Sequence, residues 1–131
     1  MCLFCEIAKH NIPSNYVYED DDVVAILDLS QTTKGHTLVI QKVHSNNIFE
    51  ADKKTAQILI NKSQDIGKIL MKKLNANGMN ILINTNESAG QTIMHTHVHL
   101  IPRYDVDDSI DIKFHENKLD LTEVLKEIKG E

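Results

Sequence analysis

Short hydrophobic runs along the chain predict β-strands. Three of them occupy residues 16–18, 23–29 and 37–40, and they are rich in the β-branched and aromatic residues that strands favour. Two more follow, at residues 81–83 and from about residue 94 to residue 102. The pattern therefore predicts about five strands, separated by polar or acidic turns.

Between the third and fourth strands, from about Asp52 to Leu74, the hydrophobic period changes to that of a helix. Apolar residues recur every three or four positions, at Ala56, Leu59, Ile60, Ile66, Leu70 and Leu74. Asp52 is suited to cap the start of this helix, and Asn77-Gly78 offers a stop just past its end. A shorter helix is predicted over residues 119–128.

These elements predict one α+β domain over residues 1–131, with a mainly antiparallel sheet, one long helix and short terminal helices. No internal repeat, low-complexity segment or linker divides the chain. The hydrophobic fraction of 41% and the charged fraction of 25% are those of an ordinary globular protein. We expect a cytoplasmic protein without a membrane contact, because no apolar run is long enough to cross a bilayer and no secretory pattern is present.

The chain is acidic, with a net charge of −5 when its histidines are neutral, and it carries no basic stripe. Binding to a nucleic acid polymer through counterion release is therefore not expected. A mononucleotide is compatible with this charge, since it needs only a local phosphate site.

Three histidines alternate with other residues in the last predicted strand, at His95, His97 and His99. In a strand they share one face, at a spacing of roughly 7 Å. One interpretation is an exposed face that happens to carry histidines, and another is a zinc site that uses two of them. The third is nucleophilic catalysis, since imidazole is largely neutral at physiological pH and attacks phosphorus. A two-metal hydrolase is disfavoured, because no Asp or Glu lies within the segment.

The segment from His95 to Ile101 resembles the signature of the histidine-triad superfamily, in which histidines alternate with hydrophobic residues. Thr96 takes one of the hydrophobic places. Gly90-Gln91-Thr92 is similar to the loop that lies on the phosphate side of the site in that family, and Asn84 stands at the family's spacing before it.

Upstream segments extend the resemblance. Asp28 and residues 35–40 resemble the ribose-binding and strand elements of the family. The resemblance is collinear from about Cys2 to Tyr104, and it leaves residues 105–131 as a divergent tail.

The resemblance implies a role for each matching residue. His97 is the expected nucleophile, and the backbone carbonyl of His95 is expected to orient its ring. His99 is expected to contact the phosphate oxygens and the leaving atom. The phosphate-side residues Asn84, Gly90, Gln91 and Thr92 are expected to bind the nucleotide as well.

The nucleoside half of the substrate is assigned in the same way. Asp28 is expected to hold the ribose hydroxyls, since a carboxylate accepts two hydrogen bonds. The nucleobase pocket is expected at Leu3, Phe4, Ile7, Ile26 and Leu29, although simple core packing explains each of these equally well. His36 is expected either to support His97 or His99, or to lie at a strand edge without a role.

Cys2 and Cys5 have the spacing of one half of a zinc site. A disulfide framework is disfavoured in a cytosolic chain with one such pair, which leaves metal ligation, redox chemistry or coincidence. Some histidine-triad proteins, and the related hexose-phosphate uridylyltransferases, complete such a site at positions that match His44 and His95 here. The resemblance therefore implies one structural zinc per chain, held by two cysteines and two histidines. The chain reads Gln41-Lys42-Val43-His44, without the proline common there, and His44 stays in place.

Within the superfamily the chain is most similar to the small Hint-type phosphoramidases. This implies hydrolysis of purine nucleoside 5′-phosphoramidates, such as adenylylated lysine, through a nucleotidyl-histidine intermediate and without magnesium. It also implies a homodimer.

Two alternatives stay open. The segment Ile101-Pro102-Arg103-Tyr104 resembles an ending that is also found in dinucleoside-polyphosphate hydrolases of the fragile-histidine-triad branch. The other alternative is a nucleotide-binding regulatory protein with incidental hydrolysis. The transferase branch of the superfamily is disfavoured, since it usually has glutamine where this chain has His99.

Overall fold

The computed structural model describes residues 1–105 and 107–131, and it contains three helices and five strands within them. Residue 106 belongs to the predicted divergent tail and lies outside the described residues. The elements are α1 (Leu3–Ala8), β1 (Tyr16–Glu19), β2 (Val23–Leu27), β3 (Thr37–Gln41), α2 (Lys53–Leu74), β4 (Gly78–Leu82), β5 (His97–Arg103) and α3 (Leu121–Lys129). A 3-10 turn occupies Glu87–Ala89.

The five strands form one sheet in the order β1-β2-β3-β5-β4, and every neighbouring pair is antiparallel. The predicted α+β class with a mainly antiparallel sheet is therefore confirmed. In the β3–β5 register Ile40 faces His97 and Leu38 faces His99, so both histidines lie on a strand with a neighbour on each side. β4 lies at one edge, beyond β5.

The predicted strand boundaries differ from the structure by one to three residues, and β4 begins at Gly78, three residues earlier than predicted. β2 ends at Leu27 and not at residue 29, because the Asp28 side chain accepts the backbone N–H of Ser30 and turns the chain. β5 begins at His97, so His95 precedes the strand, where its backbone N–H bonds the Ile93 carbonyl.

α2 packs on one face of the sheet. Leu59, Ile66 and Leu70 of the helix meet buried strand residues such as Val39 and Val98, and burial of this apolar stripe supplies most of the stability of the helix. Asp52 caps its start as predicted, accepting the backbone N–H groups of Lys54 and Thr55.

α2 ends at the predicted residue, but the predicted stop signal Asn77-Gly78 is not what ends it. The helix ends at Leu74, because Asn75 adopts the left-handed conformation at φ 57° and its backbone N–H bonds Met71. The glycine of the predicted stop, Gly78, instead begins β4.

α1 covers part of the opposite face. Phe4 and Ile7 pack there against Val24, Ile26 and other buried residues of β2 and β3. The ring of His97 in β5 packs against Phe4 of this helix, and His97 and His99 line a cleft beside it. The functional site therefore lies on the α1 face of the sheet.

The chain continues beyond β5 into a C-terminal arm, which we define as residues 109–131. Its helix α3 begins two residues later and ends one residue later than predicted, and none of its residues is buried. In the described residues no helix combines the length and the apolar character that a membrane span requires.

Candidate active site and metal centre

A cleft of about 630 Å³ opens on the α1 face of the sheet. Its wall contains nine of the residues assigned to the site from sequence: Leu3, Phe4, Ile7, Ile26, Asp28, Leu29, Thr92, His97 and His99. The apolar members come from α1, from β2 and from the residue Leu29 that follows it, while ligand atoms of His99 and Asp28 lie within 4.8 Å of each other. A cleft of this volume accommodates a ligand the size of a nucleotide.

The cleft also has a wall that the sequence did not reveal. The loop of residues 12–15 between α1 and β1 lines it, together with Ile93. Pro13 marks a turn in the sequence, but no local pattern shows that this turn lines the same cleft as His97, more than eighty positions away.

His97 is held in one tautomer by the backbone. Its Nδ1 lies 2.7 Å from the carbonyl oxygen of His95, so that the Nδ1–H donates and the Nε2 keeps its lone pair. The side chain is buried, and the edge of the Phe4 ring packs against it at a centroid distance of 4.9 Å. Burial lowers the pKa of His97, which keeps the imidazole neutral near pH 7. A neutral ring with a free Nε2 is the form that attacks phosphorus.

His99 is joined to a second histidine. Its Nδ1 lies 3.0 Å from Nε2 of His36, and the backbone N–H of Thr32 points at Nδ1 of His36 at 3.4 Å. This chain of contacts places the proton of each ring on Nε2, so that His99 presents an N–H donor. Burial, together with the neighbouring His97 and His36 rings, lowers the pKa of His99 to about 4.

Asp28 completes this cluster. One of its carboxylate oxygens accepts the Ser30 N–H, and the other lies 3.5 Å from Nε2 of His36. Ligand atoms of Asp28, His36 and His99 all lie within 4.8 Å of one another, a spacing that a metal ion also accepts. A metal on Nε2 of a neutral His36 ring requires a proton on Nδ1, where the Thr32 N–H points. The contacts thus favour a hydrogen-bonded chain.

Hydrogen bonds of the buried Gln91 side chain hold the loop before β5 in place. The Gln91 amide oxygen accepts the Asn86 N–H, and its NH₂ group donates to the carbonyls of Asn46 and Ile93. The side chain of Gln91 is therefore turned away from the cleft, contrary to its expected contact with phosphate, and it shapes the loop. Thr92, the next residue, is exposed on the cleft wall.

Asn84 and Gly90 do not line the cleft. The Asn84 amide reaches the Gly90 carbonyl at 3.5 Å, and Gly90 adopts φ +98°, a conformation that L side chains rarely take. Both residues thus belong to the fold of the loop.

Four side chains converge beside the cleft, from α1, from the segment after β3 and from the segment before β5. The Nδ1 atom of His95 lies 3.3 Å from Cys2 Sγ, 3.5 Å from Cys5 Sγ and 3.0 Å from His44 Nδ1. All four ligand atoms lie within 4.8 Å of one another. Two thiols and two imidazoles at such distances suit a tetrahedral metal site, so these residues can hold a metal ion.

His95 links this metal set to His97. Its Nε2–H donates to the Gln41 carbonyl at 2.6 Å, which leaves Nδ1 free for the metal set. The carbonyl of the same residue holds the His97 ring. One residue therefore contributes its side chain to the metal set and its backbone to the candidate nucleophile.

The HIT domain family model matches residues 9–106, which include most of this site. The chain belongs to the HIT domain family. An uncharacterized HIT-like protein of Methanocaldococcus jannaschii is 44% identical to it, over 99% of this chain and all of that protein. A crystal structure of a Streptococcus mutans protein superposes with a TM-score of 0.91 at 46% identity, covering 98% of this chain and 82% of that one.

Three further HIT relatives carry names that state a ligand or an activity. A histidine triad nucleotide-binding protein of Candida albicans is 26% identical with a TM-score of 0.86, covering 99% of this chain and 94% of that one. A zinc-bound histidine triad protein of Mycobacterium smegmatis is 36% identical with a TM-score of 0.77, covering 81% and 77%. The adenylylsulfatase HINT3 of Arabidopsis thaliana is 34% identical over 91% of this chain and 62% of that protein.

Proposed function

We propose that this HIT protein hydrolyses purine nucleoside 5′-phosphoramidates of the adenylyl-lysine type. The observation that carries the proposal is the tautomer of His97, whose Nδ1–H is held by the His95 carbonyl while Nε2 remains free at the cleft wall. The apolar side chains that line the cleft suit a nucleobase, and the carboxylate of Asp28 suits the ribose hydroxyls. The names of the nucleotide-binding and adenylylsulfatase relatives support a substrate with an adenylyl group.

The proposed reaction has two steps. Nε2 of His97 forms a bond to the α-phosphorus as the P–N bond breaks, and the leaving nitrogen takes the bonding pair and a proton from water. A water oxygen then attacks phosphorus, the bond to His97 breaks, and a proton returns to solvent with release of the monophosphate. During both steps the Nε2–H of His99 and the hydroxyl of Thr92 donate to the phosphate oxygens and stabilise the developing charge.

A substrate panel tests this proposal. Adenylyl-lysine, adenylyl sulfate and diadenosine polyphosphates all place a leaving group on the α-phosphorus of an adenosine nucleotide. We expect the highest kcat/KM for the phosphoramidate, and mass spectrometry of quenched reactions to show an adenylyl group on His97. A preference for the polyphosphates would instead indicate a dinucleoside-polyphosphate hydrolase. Binding without turnover would indicate a nucleotide-binding regulatory protein.

Although His36 does not line the cleft, its contact with His99 predicts that replacing His36 lowers the catalytic rate. His36→Ala removes the partner of His99 Nδ1, so the His99 proton is no longer confined to Nε2. We expect kcat to fall about tenfold to a hundredfold, the effect of a lost hydrogen bond of ~1–3 kcal/mol, with little change in KM. His99→Ala impairs the rate at least as much without abolishing it. A rise in KM at constant kcat would assign His36 to substrate binding instead.

Catalysis is expected to need no added magnesium. His99 and Thr92 in the cleft wall offer N–H and O–H donors, while the carboxylate in that wall, Asp28, faces Ser30 and His36. The assay uses a phosphoramidate, because a polyphosphate itself binds magnesium. Turnover unchanged in chelator supports this mechanism, and loss of turnover that only magnesium restores contradicts it.

We also propose that Cys2, Cys5, His44 and His95 hold one structural zinc ion. Borderline-soft Zn²⁺ prefers thiolate and imidazole ligands. Four protein ligands fill its tetrahedral coordination and leave no position for a water molecule, as in a structural zinc site. The zinc-bound relative supports the choice of metal. Thiolate ligands also agree with a reducing, cytoplasmic location, which we propose for the protein.

A homodimer is proposed on the basis of an exposed apolar surface. Strand β4 is a free sheet edge, and an apolar groove of about 460 Å³ lies between it and α2. Ile60, Met71, Met79 and Ile81 line this groove. Pairing of β4 with the same strand of a second copy, across a two-fold axis, provides hydrogen-bond partners for the backbone groups of this edge and covers the groove.

A further inference from the structure

The pairing between β3 and β5 ends at Ile40 and His97. Both histidines of the metal set lie beyond this pair, His44 in the segment after β3 and His95 in the segment before β5. The His44 side chain is exposed, and its Nε2–H donates to Asn46 of the same segment at 3.2 Å. Neither packing nor the sheet therefore holds this ligand in place, and other bonds have to join the two segments.

The side chain of Gln41 supplies the first of these bonds. It is 1% exposed, and its NH₂ group donates to the Val43 carbonyl at 2.8 Å and to the Ser45 hydroxyl at 2.6 Å. These two acceptors flank His44, so the amide fixes the chain on both sides of that ligand. The backbone carbonyl of Gln41 accepts the Nε2–H of His95. One residue therefore contacts the segments of both histidines.

The hydroxyls of Ser45 and Thr96 continue the network. Their oxygens lie 2.6 Å apart, and the Thr96 hydroxyl donates to the Ser45 carbonyl at 3.2 Å. The shortest contacts thus form one chain of donors, from the Gln41 amide to Ser45, from Ser45 to Thr96, and from Thr96 to the Ser45 carbonyl. Thr96 is 2% exposed, and its burial strengthens these bonds because water does not compete for them.

The network also reaches the candidate nucleophile. The backbone N–H of Thr96 donates to the Ser45 carbonyl at 2.9 Å, and it belongs to the same peptide unit as the His95 carbonyl. A peptide unit is planar and trans, so a bond that fixes its N–H also fixes the direction of its C=O. The His95 carbonyl is the group that accepts the Nδ1–H of His97. The position of Ser45 therefore determines how the His97 ring is oriented.

Stability alone does not explain a glutamine at position 41. The Oε1 atom of Gln41 is buried and has no hydrogen-bond partner within the part of the chain that the structure describes. A buried acceptor without a partner destabilises a fold, and an apolar side chain of similar size avoids this penalty. Gln41, Ser45 and Thr96 are also not among the residues that line the cleft. Their contacts point to a role in placing other residues.

We propose that Gln41, Ser45 and Thr96 are positioning residues, which hold the metal ligand His44 and the peptide unit that orients His97. The first part rests on the proposed zinc site and the second on the proposed hydrolysis, so each is measured separately. Replacing a residue that supports a metal ligand typically lowers metal affinity or activity by about tenfold to a hundredfold.

Zinc affinity tests the placement of His44 and is measured by competition with a chromophoric chelator. Gln41→Leu keeps the carbonyl that bonds His95 and removes the side-chain donors, so we expect the zinc dissociation constant to rise about tenfold. Thr96→Val, which removes the hydroxyl, is expected to act in the same direction. Thr96→Ser keeps the hydroxyl and is expected to restore the affinity.

Two outcomes of the zinc experiment contradict the proposal in different ways. Equal affinities of the unaltered protein and Gln41→Leu overturn the placement of His44 and leave the zinc site standing. An unaltered protein that binds no zinc overturns this placement together with the zinc site.

Kinetics at saturating zinc test the placement of His97. With a phosphoramidate we expect kcat to fall about tenfold in Gln41→Leu and in Thr96→Val, while KM stays within about twofold because the cleft lining is unchanged. The double variant is expected to lose no more than the weaker single variant, since both side chains act through one network. A lower melting temperature with unchanged kcat assigns the network to the fold alone and overturns the proposal.

NMR of nitrogen-labelled histidine measures the same placement without turnover. We expect the proton of His97 on Nδ1 in the unaltered protein and in Thr96→Ser, and on both ring nitrogens in exchange in Gln41→Leu and Thr96→Val. This result supports the proposal even if the unaltered protein hydrolyses no phosphoramidate. A proton that stays on Nδ1 in all variants overturns the placement of His97.

Discussion

Replacing His97 with alanine is expected to abolish turnover while nucleoside monophosphate binding survives within about tenfold, or roughly 1.4 kcal/mol. The reason is that Nε2 of His97 supplies the bond to phosphorus, for which the chain offers no equivalent atom in the same position. The apolar lining of the cleft and Asp28 remain in place to hold the nucleoside. Single-turnover kinetics and calorimetric titration with AMP measure the two quantities separately.

His10→Asn provides a matched control, because His10 is an exposed histidine that does not line the cleft. Asparagine tolerates its left-handed conformation at φ 62°, and the exposed contact with the Glu19 carboxylate contributes little. This variant is expected to keep full activity. Turnover at the unaltered rate in the His97 variant would remove His97 as the nucleophile, and a parallel loss of binding would assign it to the fold of the cleft.

Removal of zinc is expected to lower the melting temperature by roughly 10 °C. Protein purified without chelator should contain about one zinc per chain, with Zn–S distances near 2.3 Å by X-ray absorption. At free zinc about a hundredfold above Kd, binding contributes about 2.7 kcal/mol to the free energy of unfolding, and each kcal/mol shifts the melting temperature by about 4 °C at this size. The cause is structural, since the ligand set ties α1 to the segment before β5.

The Cys2→Ser, Cys5→Ser double variant separates metal loss from other effects of the chelator. Its melting temperature should match that of the metal-free protein and should not change on further addition of chelator. AMP affinity is expected to change less than stability, because the metal set lies beside the cleft and contributes none of its lining residues. An unchanged melting temperature on metal removal would refute the structural role of the metal.

Local patterns in the sequence were sufficient to predict several features of the protein. The apolar period of α2 predicted the helix because amphipathic burial depends on residues three and four positions apart. Asp52 was predicted to cap it because capping involves only the following turn. His97 and His99 share a face because side chains alternate along any strand, whatever packs against it. The fold class follows from the same short-range periodicities.

Long-range packing decided the features that local patterns left open. His36 contacts His99, 63 positions away in the sequence, only because β3 lies beside β5. Of the roles that the sequence left open for His36, this contact favours the support of His99. The orientation of the Gln91 side chain, away from the cleft, depends on the carbonyls of Asn46 and Ile93, which come together only in the folded chain.

The different roles of His95 and His97 were also decided by the tertiary structure. In sequence they are equivalent members of one alternating pattern. In the fold, β5 begins only at His97, and the His95 ring reaches Cys2, Cys5 and His44 in other segments. A periodic sequence specifies which side chains share a face, but the groups that each one meets depend on elements distant in the chain, and those groups determine its chemistry.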